Sequence, residues 1–298
     1  MEGAGVGITT TGTATQLSVR PYGAADASVV LALINADRLP GQPDAGADML
    51  AEALAGRSQI DAGWWAELDA PFTDVVQDQA GAVLGVVSYA VRPSDGAGLL
   101  LWLHCREEQQ LAERLVDHVL DRFGARTVFA FEFASALTLG LEGLPVRHRP
   151  ATRAALEKAG FTGRDLWRYM RTDLPVAGLP HAGRCTVEEC EDPPGKRLTV
   201  RDTGEVVAEA TIGRPVAGIG VLWWISVVPA ARGRGLGLAL LGTALDLLGS
   251  LGAREAILFV DDDAPAGDPE RDRTAANRLY DRAGFTEVDR LFSFTRSP

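Results

Sequence analysis

The sequence predicts an α/β protein built from two tandem copies of one unit, and three observations carry that prediction. Two amphipathic helices, "ATRAALEKAGF" and "TAANRLYDRAGF", each close on Gly-Phe, and their last residues Phe161 and Phe285 lie 124 positions apart. Upstream of them, "VLGVVSYAV" from Val83 and "EVVAEATIG" from Glu205 alternate in the two-residue rhythm of strands, at an offset of 122. Between these come "LLLWLHC" and "VLWWISV", each an apolar strand leading into a long helix that ends in Gly-Ala, at Gly124 and Gly252. Each copy therefore reads strand, strand, helix, strand, helix, strand.

The elements follow in order. Residues 1–16, "MEGAGVGITTTGTATQ", hold neither a basic start nor an apolar run and read as a flexible tail. The first copy occupies 17–174. It opens with a strand in "LSVRP" and two helices within 26–39 and 46–56, ahead of the shared pattern. "RTDLPVAGLPHAG", Arg171 to Gly183, is rich in Pro and Gly and supplies the joint, set at 175–183. The second copy, 184–298, runs from "RCTVEEC" almost directly into "RLTVRD" and so lacks the opening helices. Conversely, Trp102 to Gly124 spans 22 positions and Trp224 to Gly252 spans 28, the surplus falling where the second copy carries "PAARGR". The helix that follows, "GLGLALLGTALDLLGSL", sets Leu236, Leu240, Ala244, Leu247 and Leu251 on one stripe, read as core. Gly242 and Gly249 on the opposite face suggest close cover by the other half or by a partner chain, which leaves a homodimer open.

Bulk properties narrow the functional classes. At 298 residues, 46% hydrophobic and 23% charged, the chain has ordinary globular composition and enough length for two domains. A formal net charge of -11 argues against nucleic acid as the partner, and is compatible with a cationic acceptor or simply with solubility. Cys105, Cys185 and Cys190 are odd in number and lack ligand spacing, so neither a disulfide framework nor a metal site is expected, and a reducing cytoplasm fits. No uninterrupted apolar run reaches the roughly 18 residues of a membrane span.

The chemistry concentrates in "VVPAARGRGLGLALL", Val227 to Leu241, where a strand opens into a cationic, glycine-rich turn and then a helix. Glycines at 233, 235 and 237 let backbone approach an anion, the helix N-terminus offers unpaired N–H groups, and Arg232 and Arg234 add charge. A plain tight turn is the alternative. The G-x-G-x-G order, with no parallel β-α-β unit after it, argues against a dinucleotide site. Arg232-x-x-Gly235-x-Gly237 after Val227-x-Pro229, together with "NRLYDRAGF" at Asn277 to Phe285, resembles the GNAT superfamily of N-acetyltransferases. The resemblance spans 183–298 and, in degenerate form, 17–174.

That resemblance implies two tandem GNAT-like domains, each a mixed, mostly antiparallel sheet flanked by helices, α+β by sheet content. It implies acetyl-CoA as cosubstrate, with its pyrophosphate at Arg232, Gly233, Arg234, Gly235, Leu236 and Gly237, and its arm beside Trp224 to Val228. The Val227 N–H would hold the thioester carbonyl and its developing oxyanion. Tyr280, four residues before Gly-Phe, matches the family's acid for the leaving thiolate, with simple packing as the other reading. The family often has Asn seven residues before that tyrosine, in contact with the cofactor; here the position is Arg273, a departure.

The residues themselves offer a base. In "GEVVAEATIG", Val206, Ala208, Ala210 and Ile212 share one face and leave Glu209 on the other, as a base for the acceptor ammonium or as a solvated carboxylate. Asp261, Asp262 and Asp263 either bind a cationic acceptor or form a solvated acidic loop. In the first copy Leu156 replaces the tyrosine, and Glu107 and Glu108 in "HCREEQQ" replace the anion turn. His104 and Cys105 are adjacent on a strand and so point to opposite faces, which argues against a nucleophile pair. The expectation is an acyltransferase whose C-terminal half moves an acetyl group from acetyl-CoA to a small-molecule amine. A non-catalytic CoA-binding scaffold and a mycothiol-synthase-like tandem enzyme are the alternatives.

Overall fold

The structure, a computed structural model, describes residues 17–191, 193–261 and 274–298. In the first half, β1 (Ser18–Pro21) is followed by α1 (Ala27–Ala36), α2 (Ala47–Leu54) and a single turn, α3 (Ala62–Trp65). Then come β2 (Phe72–Gln77), β3 (Val83–Arg92), β4 (Ala97–His104), α4 (Gln109–Phe123), β5 (Val128–Ala130), β6 (Leu144–Pro145), α5 (Pro150–Lys158) and β7 (Thr162–Asp173). The second half replaces the opening helices with a hairpin of β8 (Thr186–Glu191) and β9 (Pro194–Asp202). It continues with β10 (Glu205–Gly213), β11 (Ile219–Val227), α6 (Leu236–Ser250), β12 (Glu255–Asp261), α7 (Thr274–Arg282) and β13 (Thr286–Arg296).

The strands form one mixed, mostly antiparallel sheet in the order β1-β2-β3-β4-β5-β13-β7-β12-β11-β10-β9-β8, with β6 beside β13. The order contains an exchange. The last strand of the second half, β13, pairs with β5 of the first, while the first half's last strand, β7, pairs with β12 of the second. β7 and β13 pair with each other at the centre, where Thr162 faces Thr295 and Thr286 faces Arg171. Shifting the first pair by the 124-residue repeat gives the second, so an approximate two-fold axis passes between these strands. Buried Asp289 ties the exchange down, accepting hydrogen bonds from the backbone N–H groups of Arg147 and His148 and from His148 Nδ1. Arg168 on β7 adds ion pairs to Glu287 and Asp281.

Helices α4 and α5 cover one face of the first half, and Leu111, Leu115, Val119, Phe123 and Leu156 build a core there with β3, β4 and β5. Opposite them, α1 and α2 pack Val30, Leu33, Ile34 and Leu50 against Val86, Leu99, Leu101 and Trp102. In the second half α6 and α7 cover one face only. Two expectations for α6 are corrected. Its buried stripe is Leu240, Leu241, Ala244, Leu245 and Leu248, whereas Leu251 is exposed and Leu236 and Leu247 are partly buried. No described residue comes within 4 Å of a Cβ at Gly249, whereas at Gly242 the cover comes from the joint rather than from the body of the other half, for a Cβ there would sit 2.3 Å from the Pro180 carbonyl oxygen. Leu174, Val176, Leu179 and Ala182 pack there, and the Ala182 N–H donates to Thr243.

A fourth apolar cluster joins the halves on the face opposite α6. Leu39 and Leu141 of the first half meet Tyr169, Ile219, Val221, Ile257 and Leu291, with Trp223 and Phe259 against them. Gln42 donates to the Tyr169 hydroxyl, which donates to the Pro40 carbonyl. Among the described residues no helix is long and apolar enough to cross a membrane.

Candidate functional site

β11 ends at Val227 and passes through one tight turn, Pro229–Ala231, into the glycines. Gly233 and Gly235 take φ of 75° and 78°, left-handed values that only glycine adopts without strain, and a Cβ on either would meet nothing within 4 Å. Backbone conformation therefore favours glycine here, and no described residue occupies the space above the turn. Gly235 caps α6, and among the described residues no side-chain cap hydrogen bond reaches the first turn, which begins with Leu236 and Gly237. Arg232 Nε donates to the Val227 carbonyl at 3.1 Å, and Arg234 pairs with Asp202 at 3.2 Å. The turn, two guanidinium groups and an uncapped helix end make one electropositive cradle that fits a phosphate group.

Beside the cradle the sheet parts. β11 and β12 pair in parallel only over Ile219–Leu222 and Glu255–Leu258. Past that point β11 bulges: Thr211 faces Trp224 but Ile212 faces Leu222, leaving Trp223 unmatched. The bulge sets both tryptophans on the face away from α6. The Val228 N–H donates to the Val207 carbonyl, so by antiparallel alternation the Val227 N–H and C=O point to the other edge, into the gap facing β12. The carbonyl is the one that Arg232 binds. A backbone N–H aimed away from its own hairpin, past the end of the β11–β12 pairing, is a group that an extended acyl carrier can use.

Tyr280 and Glu209 lie on opposite faces of the second half's sheet. Tyr280, on α7, is 7% exposed and belongs to the α6-side core with Leu240, Ala244 and Phe285, partly buried Val227 and Leu279 packing on the same cluster. Glu209 on β10 lies between Ala208 and Ala210, which enter that core, so its side chain goes to the other face, with Ser226 and Thr199 as strand neighbours. Part of the expected β10 pattern is corrected: a bulge between Val206 and Ala208 brings Val207, rather than Val206, onto the core. Arg273, Asp262 and Asp263 lie outside the described residues; Asp261 ends β12. Asn277 accepts a hydrogen bond from Arg168 at 2.9 Å.

The matching place in the first half is filled. β4 and β5 pair over Gly98–Leu100 and Val128–Ala130 and then part in the same way. Into that gap goes the Arg149 guanidinium, which donates to the Leu103 carbonyl and Thr152 Oγ1 and pairs with Glu107 and Asp37. Arg149 lies 124 positions before Arg273. Glu107 was expected to oppose an anion at the start of α4. Instead its carboxylate turns to the start of α5, accepting from the Ala151 and Thr152 N–H groups. Leu156, at the tyrosine position, is fully buried. His104 and Cys105 do diverge: His104 approaches Asp37, while Cys105 enters the α4-side core and burial pushes its thiol up to about 12. Sequence reading missed both the Trp223 bulge and the Arg149–Glu107 filling. The unbroken apolar run "VLWW" was the one signal for the bulge, since it ends the alternation, and nothing local announced the filling.

Residues 164–285 match the family model described as the acetyltransferase (GNAT) family. A mycothiol acetyltransferase from Beutenbergia cavernae is 31% identical over 121 residues, which are 38% of this chain and 38% of that protein. One from Clavibacter sepedonicus is 28% identical over 237 residues, 76% of this chain and 71% of that protein. Among solved structures, a tandem GNAT protein from the clavulanic acid biosynthesis pathway shares the fold with a TM-score of 0.55 at 16% identity, covering 94% of this chain and 98% of that one. The family match begins within β7 and ends just before β13, so it takes in the exchanged strand as well as the open turn. Residues 164–285 are thus similar to the GNAT family of acetyltransferases, and most of that match falls in the half that carries the glycine turn.

Proposed function

We propose that the second half transfers an acetyl group from acetyl-CoA to an amine of a small molecule by direct attack. The observation that carries this reading is the Val227 N–H, aimed into the gap between β11 and β12 beside an open, uncapped glycine turn. Val228, Arg232, Gly233, Arg234, Gly235, Leu236 and Gly237 hold the pyrophosphate and the start of the arm, Arg273 being assigned to the same ligand from the sequence. The amine nitrogen bonds to the thioester carbonyl carbon while the Val227 N–H stabilises the oxyanion. The C–S bond then breaks, and the Tyr280 phenol donates a proton to the departing thiolate. Glu209, on the opposite face, takes the proton that the ammonium must lose. Acid and base on opposite faces suit this order of events, because the amine adds to the carbonyl carbon from one side and the thiolate departs from another. Two relatives named mycothiol acetyltransferase support an acceptor amine of the mycothiol type as the specific form of this reading.

The test combines calorimetry with mass-spectrometric detection of acetylated amines. One acetyl-CoA should bind per chain and acetylated product should form. Gly235→Asp sets a carboxylate, at a strained φ, inside the cradle and should weaken binding at least 100-fold. Wild-type affinity in that variant would remove the turn from the site, and binding without product from any amine would leave a CoA-binding protein in place of an enzyme.

A further inference from the structure

A pocket partly open to solvent lies in the first half between α1, β4 and the 131–145 segment. It sits on the α1 side of the sheet, away from the cradle on α6. Its walls are mainly apolar, with Leu101, Phe131, Phe133, Leu137 and Leu141 among them. The polar side chains of the wall are engaged with the protein. Asn35 exchanges two hydrogen bonds with Ala45, Gln42 bonds Tyr169 and the Leu139 N–H, and Thr138 donates to the Ser135 carbonyl. Arg149 is held by Glu107, Asp37 and Leu103.

Two groups are exceptions, and they are neighbours. Trp102 is 3% exposed and lines the cavity, yet its indole N–H has no hydrogen-bond partner among the described residues. Such an orphaned buried donor is destabilising unless something in the cavity accepts from it. His104 lies two residues on, on the same strand face, with ring centroids 6.2 Å apart. Burial lowers its pKa and keeps the ring neutral, and its Nδ1 faces Asp37 at 3.2 Å. The proton therefore sits on Nδ1, and Nε2 is an acceptor. Asp37 stays ionised: burial alone would raise its carboxyl, but the His104 hydrogen bond and the Arg149 charge hold it below the ordinary value.

We propose that this cavity is a second ligand site, for a small uncharged molecule with an apolar body and one hydroxyl group. The hydroxyl oxygen accepts from the Trp102 indole N–H and the hydroxyl hydrogen goes to His104 Nε2, so one group satisfies both. Leu101, Phe131, Phe133 and Leu137 surround the apolar body. A charged ligand is disfavoured, because Asp37, Arg149 and Glu107 already pair with one another behind the His104 ring.

Benzyl alcohol and toluene are the probes, since they differ by the hydroxymethyl group. Each is titrated into the full-length chain while the Trp102 indole N–H is followed in ¹H–¹⁵N spectra, its resonance assigned with Trp102→Phe. Benzyl alcohol should shift that resonance saturably and bind at least tenfold more tightly than toluene. Calorimetry on Trp102→Phe should show that preference lost. Equal affinity for the two probes, or a shift that grows linearly without saturating, overturns the site. If Trp102→Phe does not fold, Leu137→Trp, which fills the cavity, replaces it: the saturable shift should vanish, and its persistence places the alcohol elsewhere and overturns the proposal.

Discussion

Trp102 and Trp224 stand 122 positions apart at corresponding points of β4 and β11, and they live in different surroundings. Trp102 is 3% exposed beneath α1, whereas Trp224 is 55% exposed on a face with no helices of its own. The same contrast runs through both halves. In the first, the parted strands hold Arg149 and the helix start is served by a turn that sends Glu107 elsewhere. In the second, no described residue fills the gap or lies over the glycine turn, and among the described residues the face beneath Trp224 is covered only in part, by residues 39–42 and 139–141 reaching over Trp223, Ile257 and Phe259. The two halves share a strand framework and differ in their helices and in the side chains at corresponding points. One half has a pocket without a glycine turn, and the other a glycine turn on a sheet whose opposite face it shares with residues of the first half.

The most drastic way to break this comparison is to cut the halves apart. A fragment of residues 176–298 lacks β7, the strand that stands between β12 and β13 and carries fully buried Tyr169 and Met170. It should show no cooperative unfolding transition and should aggregate through its exposed apolar face, whereas a fragment starting at residue 160 regains the strand. Cooperative melting of 176–298 would mean that the exchanged strand is dispensable.

Next in size is the acid. Tyr280→Phe keeps the packing against Phe285 and removes the hydroxyl, so kcat should fall about 100- to 10,000-fold with acetyl-CoA affinity nearly unchanged. Steady-state and binding measurements together separate the two, and a loss below about threefold with chemistry rate-limiting would reduce Tyr280 to a core residue.

The tryptophans test the comparison directly. Trp102→Ala should cost about 3–5 kcal/mol of stability, as large core truncations do. Trp224→Ala should change it by less than about 0.5 kcal/mol, the usual range for an exposed site. Denaturant midpoints of the two variants decide it, and equal losses would mean that Trp224 is covered in solution, by a partner or a second copy.

The smallest effect concerns the segment that reaches over the second half. Burial raises the Glu142 carboxyl from 4.5 to about 7, with the charges of Asp61 and Glu132 acting in the same direction. In the unfolded chain the group ionises near 4.5, so the folded state holds the extra proton between about 4.5 and 7, and stability falls as pH rises through that window. Above pH 7 the ionised carboxylate destabilises by about 3 kcal/mol. Glu142→Gln should raise the melting temperature at pH 8 and leave it nearly unchanged at pH 4.5. The opposite order would show that Glu142 gains a cationic partner when ionised.

Local features of the chain sufficed for the repeat, for the helices that close on Gly160-Phe161 and Gly284-Phe285, and for the glycine turn. Each of these is encoded by neighbours in sequence: two-residue and 3.6-residue periodicities, and positive φ that only glycine takes readily. The stripe on α6 was legible only roughly, because a helix as rich in Leu, Ala and Gly as this one has no sharp polar face to fix its rotation. What covers Gly242, which strand lies beside β12, and which side chain occupies the first half's gap were decided by tertiary structure alone. β7 and β13 have equivalent edges, and a chain with two homologous halves satisfies its backbone hydrogen bonds in either arrangement. The choice falls to contacts between residues more than 100 positions apart, such as Asp289 with Arg147 and His148, Arg168 with Glu287, and Gln42 with Tyr169. No local periodicity records such pairs, because each depends on a distance that exists only after the sheet has formed.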